Sequence, residues 1–311
     1  IIRTWLFSTI LRSHLDYDEL PWANAAISGW VLDPDRKKMS KSKGNVVTPM
    51  HLLEEHGADA ARYWAANGRP GTDTAFDQQQ MKVGRRLAVK LLNASKFALA
   101  ELPASGESLT HPLDRALIAR LGAVTAQATD CFEGYDYARA LERAESFFWW
   151  YCDYYLELVK GRRYDPDPQV SASVSLALRE SLSVFQRLFA PFLPFVCEEV
   201  WSWWQAGSVH RSQWPDAAEL KALAGAARAQ EEVALEVTAD VLREVRKAKS
   251  QARRAMRAPV TRVVVRDTAE RLAALALGED DLLGAGSIEL LERIEDREFA
   301  VEVELSEVAS E

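Results

Sequence analysis

The feature that most constrains the fold is a change of pattern at Met81. From there to about residue 205, apolar residues recur at helical spacing in four long segments, near 81–100, 112–131, 136–160 and 169–205. Clusters of Pro, Gly and Asp, such as "ELPASGES" and "RRYDPDP", separate them. Consecutive long helices with short punctuation bury their apolar faces against one another, so the middle of the chain is expected to be a helical bundle.

The pattern changes again near "SQWPDAAEL". An Ala/Glu/Arg helix over about 227–256 is followed by "VTRVVVR", a helix at "DTAERLAALAL", and "EFAVEVEL" with strand alternation. This reads as a small α+β unit. Ahead of the bundle, "IIRTWLFSTILRSH" places Ile2, Leu6, Ile10 and Leu11 at helical spacing and opens without a Met, as an interior cut would. "AAISGWVLD" suits a buried strand, and Thr48 as N-cap with Pro49 at the first helical position starts a helix that Gly57 ends. Strand, loop and helix follow in the order of an α/β nucleotide-binding sheet. The expected fold is therefore mainly α, in three parts: 1–77, 78–216 and 217–311.

No apolar run approaches the roughly 18 residues of a membrane span. Cys131, Cys152 and Cys197 are scattered and odd in number, which suggests neither a disulfide framework nor a metal site and suits a reducing, cytoplasmic setting. The formal net charge of -8 would argue against a nucleic-acid partner if it were spread evenly, but it is not. Between Gln78 and Ala100 there are five cations and no acid, with Lys82, Arg85, Arg86 and Lys90 grouped broadly on one side of the expected helix. "REVRKAKSQARRAMRAPVTR" forms a second basic stretch, whereas residues beyond Gly278 are acidic. Two basic surfaces able to follow a phosphate backbone are expected.

"DPDRKKMSKSKGNVVTP", residues 33–49, concentrates Arg36, Lys37, Lys38, Lys41 and Lys43 in a loop with small hydroxyls and a Gly. Such a run alone is compatible with a solvated basic turn. At the end of a strand in an open α/β sheet, however, it stands where these sheets bind ligands, and lysine ammonium groups can follow charge as it develops on a phosphate.

"KMSKS", Lys38 to Ser42, is similar to the second signature of the class I aminoacyl-tRNA synthetases, and "KMSKSKGNVVTP" resembles the form seen in valyl enzymes. The resemblance continues through "GADAARYWAANGRPGTDTAFD" (the stem-contact region), "KVGRRLAVKLLNASKFAL" (the entry to the anticodon-binding bundle), "YYLELVK" and "APFLPFVCEEVW". Isoleucyl enzymes usually read KMSKSLGN, and methionyl enzymes usually lack the Asn-Ala-Ser seen at Asn93 to Ser95.

The resemblance implies that 1–77 is the C-terminal piece of a Rossmann-type catalytic domain, 78–216 an anticodon-binding bundle and 217–311 a C-terminal α+β domain. It implies activation of valine by ATP and transfer of the acyl group to tRNA(Val). Lys41 is then the principal contact to the triphosphate, with Lys38 assisting and Mg²⁺ as companion ion. Met39, Ser40 and Ser42 complete the ATP loop. Ile1 and Trp5, one helical turn apart, match positions that line the valine pocket, although core packing would equally place them together. No His of this chain sits in a His-x-Gly-His signature, and the editing insertion and a terminal heptad run are missing, so the isolated chain is expected to be inactive.

"FFWWYCDYYLELVKGRRY" holds eight aromatics in eighteen residues, most of them expected in the core. Those near its end, with Arg162 and Arg163, are candidates to meet an unstacked base. A stand-alone tRNA-binding or scaffold module, derived from such an enzyme but without catalysis, is the alternative.

Overall fold

In the computed structural model, which describes residues 1–100, 108–226 and 229–306, the chain divides into two units. The first comprises Ile1–Val47 and Gly68–Asp77, the second Thr48–Asn67 and Gln78–Glu311.

The first unit opens with a π-helical turn, Ile2–Leu6, that runs into helix α1, Phe7–Tyr17. Asp18 closes α1 in a left-handed conformation. The expected strand is short. Only Val31–Leu32 (β1) forms a ladder, parallel to Thr74–Ala75 (β2), with an isolated bridge at Ser28. The Asp73 carboxylate accepts from the Trp30 N–H at 2.7 Å, and Trp30 in turn gives its carbonyl to Thr74. Among the described residues of this unit, Asp33 is the only one that is buried.

The second unit begins with α2 (Met50–His56) and α3 (Ala58–Ala66). Helix α2 starts one residue later than the sequence suggests: Pro49 is its cap, and its carbonyl accepts from the Leu52 and Leu53 N–H groups. Helix α4, Gln78–Leu99, crosses α3 where Gly84 meets Tyr63, and a Cβ there would lie 2.6 Å from the tyrosine Cβ. Helix α5 is Pro112–Glu133, with Pro112 in its first turn and the His111 ring accepting from the Leu113 N–H. The "ELPASGES" separator lies outside the described residues, except Ser108.

Helix α6, Tyr137–Trp150, continues through a π-helical turn at Tyr151–Tyr155 into two short helices, α7 (Leu156–Leu158) and α8 (Lys160–Arg163). The segment expected as one helix over 169–205 is two, α9 (Pro168–Phe189) and α10 (Pro194–Ser202). Pro191 and Pro194 lack the N–H that a continuous helix needs, and Pro194 is instead suited to the first turn of the new one.

Leu87 and Leu91 of α4, Leu117 and Leu121 of α5, Phe148 of α6, and Phe185 and Phe189 of α9 form the bundle core together with Tyr155. Helix α11, Ala217–Ala224, adds Leu220 and Ala224 to that same core. Helix α12, described over Ala229–Gln251, serves two cores. Ala234 and Leu235 enter the bundle, while Val237, Val241 and Val245 face a smaller core with Val260, Val263 and Val265 of β3 (Val260–Asp267). The sheet order is β4-β3-β5: β3 pairs in parallel with β4 (Leu291–Glu295) and antiparallel with β5 (Ala300–Leu305). Helices α13 (Ala269–Leu275) and α14 (Glu279–Gly286) cover it with Leu272, Leu275 and Leu282. The mainly α architecture with a small α+β part is the one expected. No helix among the described residues is long and apolar enough to cross a membrane.

Candidate functional site

The lysine loop is built on a polar staple. Leaving β1, the chain turns at Asp33, whose N–H donates to the Lys37 carbonyl at 2.8 Å, and Leu32 bridges back to Lys38. One Asp33 carboxylate oxygen accepts from the Lys37 N–H at 2.7 Å; the other accepts from the Asn45 side-chain amide at 2.7 Å. The same amide reaches the Lys38 carbonyl at 3.3 Å, and its oxygen accepts from the Ser40 N–H at 2.9 Å. Asn45 thereby ties Lys38 and Ser40 of the KMSKS segment to the Asp33 carboxylate. Gly44, at φ +69°, allows the reversal that brings Asn45 back. The Lys37 N–H, and after it the Asn45 amide, hold the Asp33 carboxyl below the usual carboxylate range.

Between these tethers Lys41–Lys43 form one 3-10 turn, and the Ser40 and Ser42 hydroxyls lie 3.3 Å apart. Met39 and Ser40 are half-buried, whereas Lys38, Lys41 and Ser42 are exposed. The Lys38 ammonium sits 3.8 Å from the centroid of the Trp30 ring, a cation–π contact, and Lys37 pairs with Asp35 at 3.6 Å. Lys41 has no carboxylate partner among the described residues. Its charge is therefore available to an anionic ligand.

Ile1 and Trp5 do line one cavity, of about 350 Å³, together with Leu6, Trp22 and the 24–28 segment. Trp22 stacks on Trp5 with centroids 5.8 Å apart and an interplanar angle of 11°. Sequence spacing could not have found Trp22, because it reaches Trp5 through the bend after α1. Among the described residues no group of three His, Cys, Asp or Glu is placed to hold a metal ion. Asp33 is engaged by the staple, and Asp35 pairs with Lys37.

On α4 in the second unit, Lys82, Arg85 and Arg86 are exposed. Lys90 is half-buried and paired with Asp153 at 3.2 Å. The basic face is thus three outward cations and one engaged cation.

Arg162 requires a correction. Its guanidinium donates to both Asp114 oxygens at 2.8 Å and through Nε to Asp281 at 2.9 and 3.0 Å, with the side chain only 12% exposed. The Tyr155 hydroxyl and Ser173 hydroxyl also donate to Asp114. Burial alone would raise the Asp114 carboxyl, but the charge and hydrogen bonds of Arg162 outweigh it and hold the acid ionised. Arg162 fastens α8, α5 and α14 together and has no free edge for a base. Arg163 is likewise buried, and donates to the Ala100 carbonyl. The exposed group at this helix end is Tyr164, 61% accessible, with its ring edge-on to Phe97. Of the other aromatics in the stretch, Phe147, Phe148, Tyr151 and Tyr155 are buried.

The second basic stretch is spent partly on the fold and partly on surface ion pairs. Lys249 is buried and donates to the Met256 and Gly286 carbonyls at 2.8 and 2.7 Å. Arg243 pairs with Asp240, Lys247 with Glu244, Arg246 donates to the Asp153 carbonyl and Arg254 to that of Ser306. The stretch ties α12 to neighbouring elements, while Arg253 and Arg257 at its far end stay exposed.

Residues 1–77 match the family model described as "tRNA synthetases class I (I, L, M and V)", and residues 114–265 match "Anticodon-binding domain of tRNA ligase". The valine--tRNA ligase of Thermobifida fusca is 57% identical over 98% of this chain and 35% of its own length. Those of Salinispora arenicola and Bifidobacterium longum are 54% and 46% identical, each over 93% of this chain and 36% and 34% of their own lengths. The chain therefore spans about a third of the length of these relatives. A crystal structure of a ternary complex of LeuRS from Agrobacterium radiobacter K84 with tRNA and LeuAMS shares the fold, with a TM-score of 0.54 and 23% identity over 68% of this chain and 26% of that one.

Proposed function

The chain belongs to the class I aminoacyl-tRNA synthetases, and on that premise we propose that it is part of a valine--tRNA ligase, carrying the loop that meets ATP and the helical bundle that meets tRNA(Val). The observation that carries the reading is the lysine loop. A polar staple fixes its two ends, while Lys41 between them has no carboxylate partner among the described residues.

In the first step a valine carboxylate oxygen attacks the α-phosphorus of ATP, the bond to the bridging oxygen breaks, and pyrophosphate leaves with the electron pair. Negative charge builds on the departing β- and γ-phosphates. Lys41 neutralises it, and its work is greatest as the bond breaks, because a contact strengthened in the transition state raises kcat more than it tightens binding. Lys38 leaves the Trp30 face to join it. Ser40, Ser42 and the half-buried Met39 shape the turn that presents both ammonium groups. Mg²⁺ enters with the nucleotide. Valine lies in the cavity of Ile1, Trp5 and Trp22, whose apolar walls suit a branched aliphatic side chain. In the second step a ribose hydroxyl at the tRNA 3′ end attacks the acyl carbon and AMP departs.

The tRNA backbone runs along Lys82, Arg85 and Arg86, and the base contact earlier assigned to Arg162 passes to Tyr164, the exposed ring beside it. The setting is cytoplasmic, which three free cysteines suit.

The test is valine-dependent pyrophosphate exchange by a complete ligase carrying this segment. Lys41→Ala should lower the activation rate by about 2 to 4 kcal/mol of barrier while leaving valine affinity nearly unchanged. An unchanged single-turnover rate would refute the role of Lys41.

A further inference from the structure

A groove in the second unit is lined neither by residues of the lysine loop nor by Tyr164. The turn joining α2 to α3, one side of α4 and the start of α10 enclose a cavity of about 350 Å³ whose lining includes Ala58, Val89, Leu92, Phe195 and Val196, with Arg85 at its edge. Phe195 is 64% exposed and Val89 51%. Leaving a large ring in water forgoes about 1.5 to 3 kcal/mol of burial free energy, yet this ring is not on a loose segment. It occupies the first turn of α10, where the Asp59 carboxylate accepts from the Phe195 and Val196 N–H groups at 3.1 and 2.8 Å. Phe195 is a pinned, exposed aromatic face.

The charge on the α4 wall favours an anionic occupant. From Gln78 to Leu99 the wall formed by α4 contains cations and no acid, and Lys82, Arg85 and Arg86 are exposed. Arg85 is anchored by one bond, from Nη1 to the Glu55 carbonyl at 3.1 Å, and a guanidinium has five N–H groups, so it can hold an anion while staying in place. On the opposite wall Asp59 is consumed by the α10 cap, and Glu55 accepts from Gln78 at 3.3 Å. Asp59 also means that the α10 terminus is closed to anions, so any phosphate must go to side chains. An aromatic platform beside a guanidinium is the combination that holds a nucleotide whose base has left its stack.

We infer that this groove seats one unstacked nucleotide of the bound tRNA, its base lying on Phe195 and Val89 and its phosphate meeting Arg85. The inference rests on the reading that α4 follows the tRNA backbone, and adds to it a single-stranded or bulged element of the RNA that this chain recognises by stacking. The contact is not base-specific in itself, because every base has a π-face.

The experiment is an anisotropy titration of labelled tRNA with the 311-residue chain at several salt concentrations, using wild type, Phe195→Ala, Phe195→Leu, Phe195→Trp and the Arg85→Glu/Arg86→Glu double variant. Phe195→Ala should weaken binding about tenfold at every salt concentration with an unchanged salt slope, since stacking releases no counterions. Phe195→Trp should restore affinity and Phe195→Leu should not. The double variant should flatten the slope. Because Phe195 is exposed, melting temperatures should be unchanged, which separates lost stacking from lost fold.

If wild type binds with a steep salt slope but Phe195→Ala is within twofold of it, the groove is not a nucleotide site and the reading of α4 stands. If wild type does not bind tRNA, the underlying reading falls first. Full recovery with Phe195→Leu, or RNA-free self-association abolished by Phe195→Ala, would overturn stacking in favour of an apolar protein contact.

Discussion

Within this chain the two units are held by different kinds of contact. In the second, Leu87, Leu117, Phe148 and Phe189 are almost fully shielded and a second core closes around Val241 and Val263. In the first, Ile1, Trp5, Phe7, Leu15, Tyr17 and Trp30 are all more than half exposed, and the sole buried residue among those described is an aspartate. Packing holds the bundle. Hydrogen bonds from Asp33 and Asn45 hold the lysine loop. On the proposed reading, a loop that binds and releases ATP benefits from such an anchor, because a few polar contacts fix its ends without freezing what lies between them.

The contrast should be widest in amide exchange. Helices α5 and α9 should open only with global unfolding, while α1 should exchange at nearly the rate of free peptide, a separation of several kcal/mol in opening free energy. Comparable protection in α1 and α5, read by mass spectrometry of exchanged chain, would abolish the comparison.

Arg162→Ala comes next. It strands Asp114 and Asp281 in the interior, and removing one partner of a buried ion network costs about 3 to 5 kcal/mol. Denaturant unfolding followed through the bundle should show this loss. A tRNA discrimination defect without destabilisation would instead restore a recognition role to Arg162.

Asn45→Ala should act in the other direction. Losing the staple should raise the activation barrier by about 1 to 2 kcal/mol in a complete ligase carrying this segment, while the bundle's unfolding midpoint stays put. A shift of that midpoint would mean that the two modes of support are not separate.

The smallest effect is the titration of the staple. Because the Asp33 carboxyl is held below its usual range, its contribution is fully present above the unfolded value of about 3.9 and is lost only as pH falls through the lower folded value. Carboxyl chemical shifts should place the Asp33 midpoint below the roughly 3.9 of a free aspartate, and a midpoint at that value would remove the staple from the account.

Much of this was legible in the chain. The bundle announced itself because helical periodicity is local, and "KMSKS" because a short contiguous run can resemble a family signature. Partners distant in sequence were not legible. Arg162 meets carboxylates 48 and 119 positions away, and nothing in "KGRRY" distinguishes a guanidinium facing a base from one facing Asp114 and Asp281. Lys249 reads as one cation of a basic run, yet it is buried against two carbonyls. The prolines that split 190–193 were visible, but a continuous apolar pattern across them outweighed their signal.

The sequence by itself determined the helices, the order of loop and bundle and the identity of the charged residues, since propensity, periodicity and side-chain chemistry act over a few residues. Only the tertiary structure decided which charges remained free. Whether a cation meets water, a carboxylate or a carbonyl depends on elements brought together across the fold, and that left Lys41, Lys82, Arg85 and Arg86 outward while Arg162, Arg163 and Lys249 became part of the frame.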